Sequence, residues 1–179
     1  MTVEIVGADR TTVAPGQVGR VRISGPCVMR GYWNDPEATG EVLDDAGRLL
    51  SSDLGRLDDA GNLVMAGRAS EMYIRGGYNV YPLEVEHVLA EHPDVAAVAV
   101  VGVPRPVIGE IGVAFVVATP GTRPALDSLR AWVSDRLADY KAPDELRIVD
   151  ALPLTPMQKV DKASLGAELQ ALPAAGAPS

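Results

Sequence analysis

The nine residues from Val95 to Val103, VAAVAVVGV, carry no charged or hydrogen-bonding side chain. Such a run must be shielded from water along its whole length, since a half-buried strand alternates and a surface helix shows a polar face. It is too short to cross a bilayer, which takes about 20 residues as a helix. Its β-branched character and its length make it a buried strand. Ile111 to Ala118 reads the same way.

The flanking segments supply what those strands need as cover. Tyr81-Pro82-Leu83-Glu84 opens a helix running to about His92, with proline and acid in its first turn and Val85, Val88 and Leu89 on one face. Leu126, Leu129, Val133 and Leu137 form a second helical stripe. Leu146 to Val149 is a third short strand, and Lys162 to Gln170 a last short helix. The order helix–strand–strand–helix–strand is that of a small α+β domain with helices on a short mixed sheet. Upstream of Gly67 the chain reads as short strands and turns. Val3 to Val6, Gly19 to Ser24, Arg48 to Ser51 and Asn62 to Ala66 are strands, and Asp44–Gly47 and Asp58–Gly61 are turns. Asp35 caps a short helix whose first residue is Pro36. The chain therefore divides into a β-rich 1–66, a connecting 67–70, an α+β domain over 71–170, and an Ala/Pro/Gly/Ser tail over 171–179.

Composition excludes several functions. The net charge is −8, and a phosphate backbone needs a basic face, so nucleic acid is not the expected partner. No segment suits a membrane span or a basic amphipathic docking helix. Cys27 is the only cysteine, so no internal disulfide can form, and the N-terminus lacks the pattern of a signal peptide; both fit a cytoplasmic chain. His87 and His92 stand beside a helix end without metal-ligand spacing and read as helix surface and helix terminus. Glu84 and Glu86 read as support for the helix N-terminus.

Four segments, in order, carry a family resemblance: Gly31-Tyr32-Trp33-Asn34-Asp35-Pro36-Glu37-Ala38-Thr39; Ser51-Ser52-Asp53-Leu54-Gly55; Gly67-Arg68 through Gly76-Gly77-Tyr78-Asn79-Val80-Tyr81-Pro82-Leu83-Glu84-Val85-Glu86; and Pro153-Leu154-Thr155-Pro156-Met157-Gln158-Lys159. Together they resemble the adenylate-forming superfamily of acyl- and aryl-CoA ligases, luciferases and peptide-synthetase adenylation domains. The likeness runs from about Val3 to Leu165. Residues 1–66 resemble the end of the large N-terminal domain of such enzymes, 67–70 the hinge, and 71–170 the mobile C-terminal domain. The family's phosphate loop and its aromatic-Gly-x-Thr-Glu segment would lie upstream of Met1, as would the acyl pocket.

The resemblance implies two half-reactions. A carboxylate attacks the α-phosphate of ATP, giving acyl-AMP and pyrophosphate; the thiol of CoA then displaces AMP. Two orientations of the C-terminal domain serve the two steps. Lys159 matches the lysine that assists adenylation, where an ammonium offsets the repulsion between carboxylate and phosphate. Asp53 and Arg68 match contacts to the ATP ribose and phosphate, and Gln158, which stands where the family usually has glycine, either restricts the loop's backbone or puts an amide near the phosphate. Gly76 and Gly77 match the loop along the pantetheine passage, and Ser70 the hinge residue. Arg75 and Lys141 are further candidates for CoA phosphates. Mg²⁺ is expected with ATP, held outside this chain. Without the resemblance the same residues are a surface lysine, a turn aspartate, a surface ion pair, a tight turn and a loop serine. The implied function is part of an ATP-dependent carboxylic acid–CoA ligase, inactive alone and completed by an N-terminal domain. The alternatives are a stand-alone nucleotide- or CoA-binding helper module and an adenylation domain that loads a carrier protein.

Overall fold

The computed structural model describes residues 1–171. It divides into two compact units, Met1–Ser70 and Glu71 onward.

The first unit is an antiparallel four-stranded meander, β1 (Thr2–Val6), β2 (Gly19–Ser24), β3 (Leu49–Leu57) and β4 (Leu63–Arg68), in sequential order. Ile5, Val6, Val21, Leu50 and Leu54 form its core. The short helix α1 (Pro36–Val42) lies between β2 and β3 and buries none of its residues. Its N-terminus is held by Asp35, whose side chain accepts from the Ala38 amide at 2.9 Å. The Asp44 and Asp58 turns have the same construction. Each carboxylate oxygen accepts from the amides two and four residues on, which ties off the hairpin. Strand β3 is longer than the sequence suggests. The strand read from Arg48 to Ser51 runs on through the polar Ser52-Asp53 to Leu57, with Asp53 paired to Arg68 and Leu54 to Gly67.

The second unit is built on β7 (Val95–Arg105) and β8 (Gly109–Ala118), a long antiparallel hairpin. On the other edge of β8, β5 (Tyr73–Arg75) pairs at its beginning and β9 (Glu145–Ile148) runs parallel to its middle; β6 (Tyr78–Val80) pairs with β5. The β5–β6 hairpin leaves no periodic trace in the sequence, because three-residue strands are too short to show one. Helix α2 (Pro82–Ala90) and helix α3 (Leu126–Ser134) cover one face, burying Val85, Leu89, Leu129 and Val133 against Val100, Ala114 and Val116. Helix α4 (Lys162–Ala171) covers the other, where Leu165 packs with Ala99, Val113 and Phe115. Cover on both faces of the sheet is why β8, and β7 at its edge, lack alternation. The stripe expected to end at Leu137 outlasts its helix; Leu137 packs on the core from the turn after Ser134. His92, at the end of α2, is buried, and its ring meets the Ser128 hydroxyl at 3.2 Å and accepts from the Asp94 amide at 3.1 Å.

Tyr73 fixes β5 on the sheet. Its ring lies over Gly102 and Gly112, which face each other across the β7–β8 ladder, and a Cβ on either glycine would collide with it. The side chain is 1% exposed and its hydroxyl has no hydrogen-bond partner. Burial, and secondarily the Asp144 carboxylate, push the phenol well above its ordinary ionisation range. The tail expected over 171–179 lies, from residue 172, outside the described residues.

Candidate functional site

In the first unit, the register of β3 and β4 sets Asp53 directly opposite Arg68. Arg68 Nε lies 3.5 Å from Asp53 Oδ1, with side chains 53% and 40% exposed. Ala66 is an extra residue in β4 between the Leu54–Gly67 and Gly55–Met65 pairs, a bulge that turns the strand just before Arg68. Asp53 is therefore a strand residue rather than a turn residue. A solvated pair of this length contributes little to stability. It leaves carboxylate oxygens able to accept from two hydroxyls, and guanidinium N–H groups able to donate to an anion. The ladder closes with the Ala69 amide donating to Ser52 at 2.9 Å, and Ser70 follows, exposed, as the last residue of this unit.

In the second unit, Gly76 and Gly77 form the two-residue turn between Arg75 and Tyr78. Their φ values of 57° and 89° are those of a hairpin turn that needs two left-handed residues, which is the demand the glycines meet. The Gly76 amide donates to the Ile108 carbonyl at 2.8 Å, so the turn is tied to the tip of the β7–β8 hairpin. Arg75 and Lys141, suggested by the sequence for phosphates, are engaged elsewhere. Arg75 makes two bonds to Asp144, at 2.8 and 2.6 Å, which raise its guanidinium above the ordinary range, and Lys141 Nζ meets Glu84 at 2.6 Å. Asp144 was not singled out from the sequence; its place three residues after Lys141 gave no sign of a partner in β5.

Lys159 sits on a hairpin loop just before α4. Leu154 bridges to Val160, the Thr155 amide donates to the Lys159 carbonyl at 2.7 Å, and the Lys159 amide donates to the Thr155 hydroxyl at 3.3 Å. Gln158 closes the loop with φ of 60°, a left-handed conformation that costs a side-chain-bearing residue about 1 kcal/mol. That conformation gives a physical reason for glycine at this position and for strain when glutamine occupies it. Asp161 caps α4, accepting from the Ser164 hydroxyl and amide, and these bonds hold its carboxyl below the usual range. The chain has three lysines. Lys141 and Lys162 are each half-buried on carboxylates, whereas Lys159 is exposed and makes no ion pair among the described residues.

Among the described residues no group of three or more His, Cys, Asp or Glu could hold a metal ion. No helix among them is long and apolar enough to cross a membrane.

Residues 84–159 match the model of the AMP-binding enzyme C-terminal domain. A feruloyl-CoA synthase from an Amycolatopsis species is 45% identical over 160 residues, covering 89% of this chain and 32% of that protein. Among solved structures, the amide bond synthetase McbA from Marinactinospora thermotolerans superposes with a TM-score of 0.89 at 43% identity, over 94% of this chain and 34% of that one. ATP-bound MatB from Rhodopseudomonas palustris gives 0.87 at 32% identity, over 95% and 34%. The α+β fold read from the sequence is the fold these proteins share with it. The chain thus spans about a third of the length of the relatives it matches, and it belongs to the adenylate-forming CoA-ligase superfamily, with residues 84–159 forming its AMP-binding enzyme C-terminal domain.

Proposed function

We propose that this chain is the C-terminal part of an ATP-dependent carboxylic acid–CoA ligase and needs an N-terminal domain to turn over. The observation that carries the reading is Lys159, the one lysine with no carboxylate partner among the described residues, presented on a hydrogen-bonded loop. In the adenylating step a substrate carboxylate oxygen bonds to the α-phosphorus while the bond to the β-phosphate oxygen breaks and pyrophosphate leaves. The Lys159 ammonium lowers the repulsion between the two anions and stabilises the charge passing to the leaving group. A lysine already held by a glutamate would do this poorly. Asp53 accepts from the ribose hydroxyls, Arg68 donates to ribose or phosphate oxygens, and the Gln158 amide lies beside the nucleotide. In the second step the CoA sulfur attacks the acyl carbonyl, AMP leaves and the thiol proton is lost, with Gly76 and Gly77 lining the pantetheine passage. Rotation about Ser70, within 67–70, exchanges the two orientations. Mg²⁺ would accompany ATP without ligands from this chain. The setting is the cytoplasm, where ATP and CoA are at hand.

The test joins this chain to the N-terminal two-thirds of the feruloyl-CoA synthase. ATP- and ferulate-dependent pyrophosphate release should appear in the fusion and not in the chain alone. Lys159→Ala should lower it by about 100-fold or more while sparing thioester formation from pre-made feruloyl-AMP. Turnover by the chain alone would overturn the need for a partner domain, and an active Lys159→Ala fusion would overturn the role of the lysine. A second reading is favoured by the likeness to an amide bond synthetase: the acyl acceptor is an amine rather than CoA. Product analysis of the fusion with both acceptors separates them.

A further inference from the structure

One ammonium in the second unit connects three places that the chain visits far apart. Lys162 Nζ lies 2.7 Å from Glu71 Oε2 and 2.8 Å from Glu86 Oε1. Glu71 is the first residue of this unit, directly after Ser70. Glu86 belongs to α2, and the same oxygen accepts the Val100 amide of β7 at 2.7 Å. Lys162 itself is the first residue of α4, three positions after Lys159. The three side chains are 19%, 32% and 12% exposed, so the pair interactions are only partly screened. Two carboxylates share one cation here, and removing it leaves them facing each other with less water than either would have at the surface.

The short path from Lys162 to Lys159 is stiff. The Asp161 amide donates to the Pro153 carbonyl at 2.8 Å, Val160 packs on the core beside Leu165, and the Thr155–Lys159 bond closes the loop. The position of Lys159 is therefore set from its downstream side by where Lys162 is held. On the other side, Glu71 cannot follow a change of backbone angle at Ser70 without leaving the ammonium.

From this we propose that Lys162 is a positioning residue: it anchors both the Lys159 loop and Glu71 to α2, so that movement at residues 67–70 stops at Glu71 and the lysine loop travels with the unit as one body. The proposal rests on the functional reading of Lys159 and of the hinge, but its test does not use nucleotide or turnover.

Backbone amide exchange is followed in this chain as it stands, with Lys162→Met, Lys162→Arg and Glu71→Gln. Lys162→Met should speed exchange at the amides of Thr155, Gln158 and Asp161 and from Met72 to Ile74 by about tenfold, with the β7–β8 amides unchanged. Lys162→Arg should restore the slow rates, since arginine reaches both carboxylates. Glu71→Gln should speed only the segment from Met72 to Ile74. Unchanged exchange in the Lys159 loop of Lys162→Met would overturn the proposal. So would equal acceleration throughout the sheet, which would make the bridge a matter of overall stability. A Lys159→Ala fusion that still adenylates would instead overturn the role given to Lys159 and leave the bridge standing.

Discussion

The two units use sheet in opposite ways. In the second, the β7–β8 hairpin is covered on both faces, and Val100, Val113, Ala114 and Val116 are completely buried. In the first, β4 is an edge strand whose consecutive Leu63, Val64 and Met65 are 38%, 36% and 40% exposed, and α1 buries nothing. Most of the apolar burial that drives folding therefore belongs to the second unit. The first leans on local devices: two aspartate turns, a helix cap and ladder bonds. A unit held by local bonds keeps its geometry near Asp53 and Arg68 with little core, whereas the second is rigid enough to carry loops at fixed places.

That comparison breaks most directly in the second unit. Phe115→Ala removes a ring that is 1% exposed and should cost about 3–5 kcal/mol. In denaturant it should lower the stability of the second unit while exchange in β1–β4 stays as it was; a matching loss in β1–β4 would show that the units unfold together. Next in size, Tyr73→Phe deletes a hydroxyl that has no partner. It should stabilise the unit by about 1 kcal/mol, because a buried unpaired hydroxyl is a cost. The same residue carries a pH signature. The folded phenol ionises well above its ordinary value of 10.0, so the unfolded chain loses the proton first. Stability is thus fully present below pH 10 and falls as pH rises beyond it. Unfolding melts from pH 9 to 11 should show that decline in the parent chain and lose part of it in Tyr73→Phe.

A smaller effect is expected at the Lys159 loop. Gln158→Gly relieves a left-handed glutamine but makes the unfolded chain more flexible, so the net gain should be below about 1 kcal/mol. A loss would mean that the Gln158 side chain holds the loop. The smallest effect belongs to the first unit's exposed pair. Asp53→Asn should change its melting by no more than about 0.5 kcal/mol, while in the fusion it should weaken ATP binding. A large stability change with unchanged ATP dependence would reverse the roles given to pair and scaffold.

Long elements were readable in the sequence because burial writes a pattern. The nine-residue valine-rich run, the α2 stripe, the α3 stripe as far as Val133 and the two aspartate turns appear where their residues suggest. What escaped reading depends on contacts between distant positions. Ser52-Asp53 is polar and falls beyond the strand read to Ser51, but the pairing of Asp53 with Arg68 carries β3 through it. The β5–β6 hairpin shows only as Gly76-Gly77. The partners of Arg75 and Lys162 stand 69 and as many as 91 positions away, and no local signal links such residues. The proposed site was legible as motifs; the availability of each cation was not, since pairing decides it.

The fit of Tyr73 over Gly102 and Gly112 also constrains how this chain can drift. Neither glycine can take up a side chain while the ring is in place, so any lineage that fills either position must first shrink residue 73, passing through a form with a hole in the sheet. The reverse route carries the same obligation in the opposite order: two glycines first, then the ring. Three positions separated by tens of residues are thereby bound into one historical unit, and a comparison of descendants should find them exchanged together or not at all.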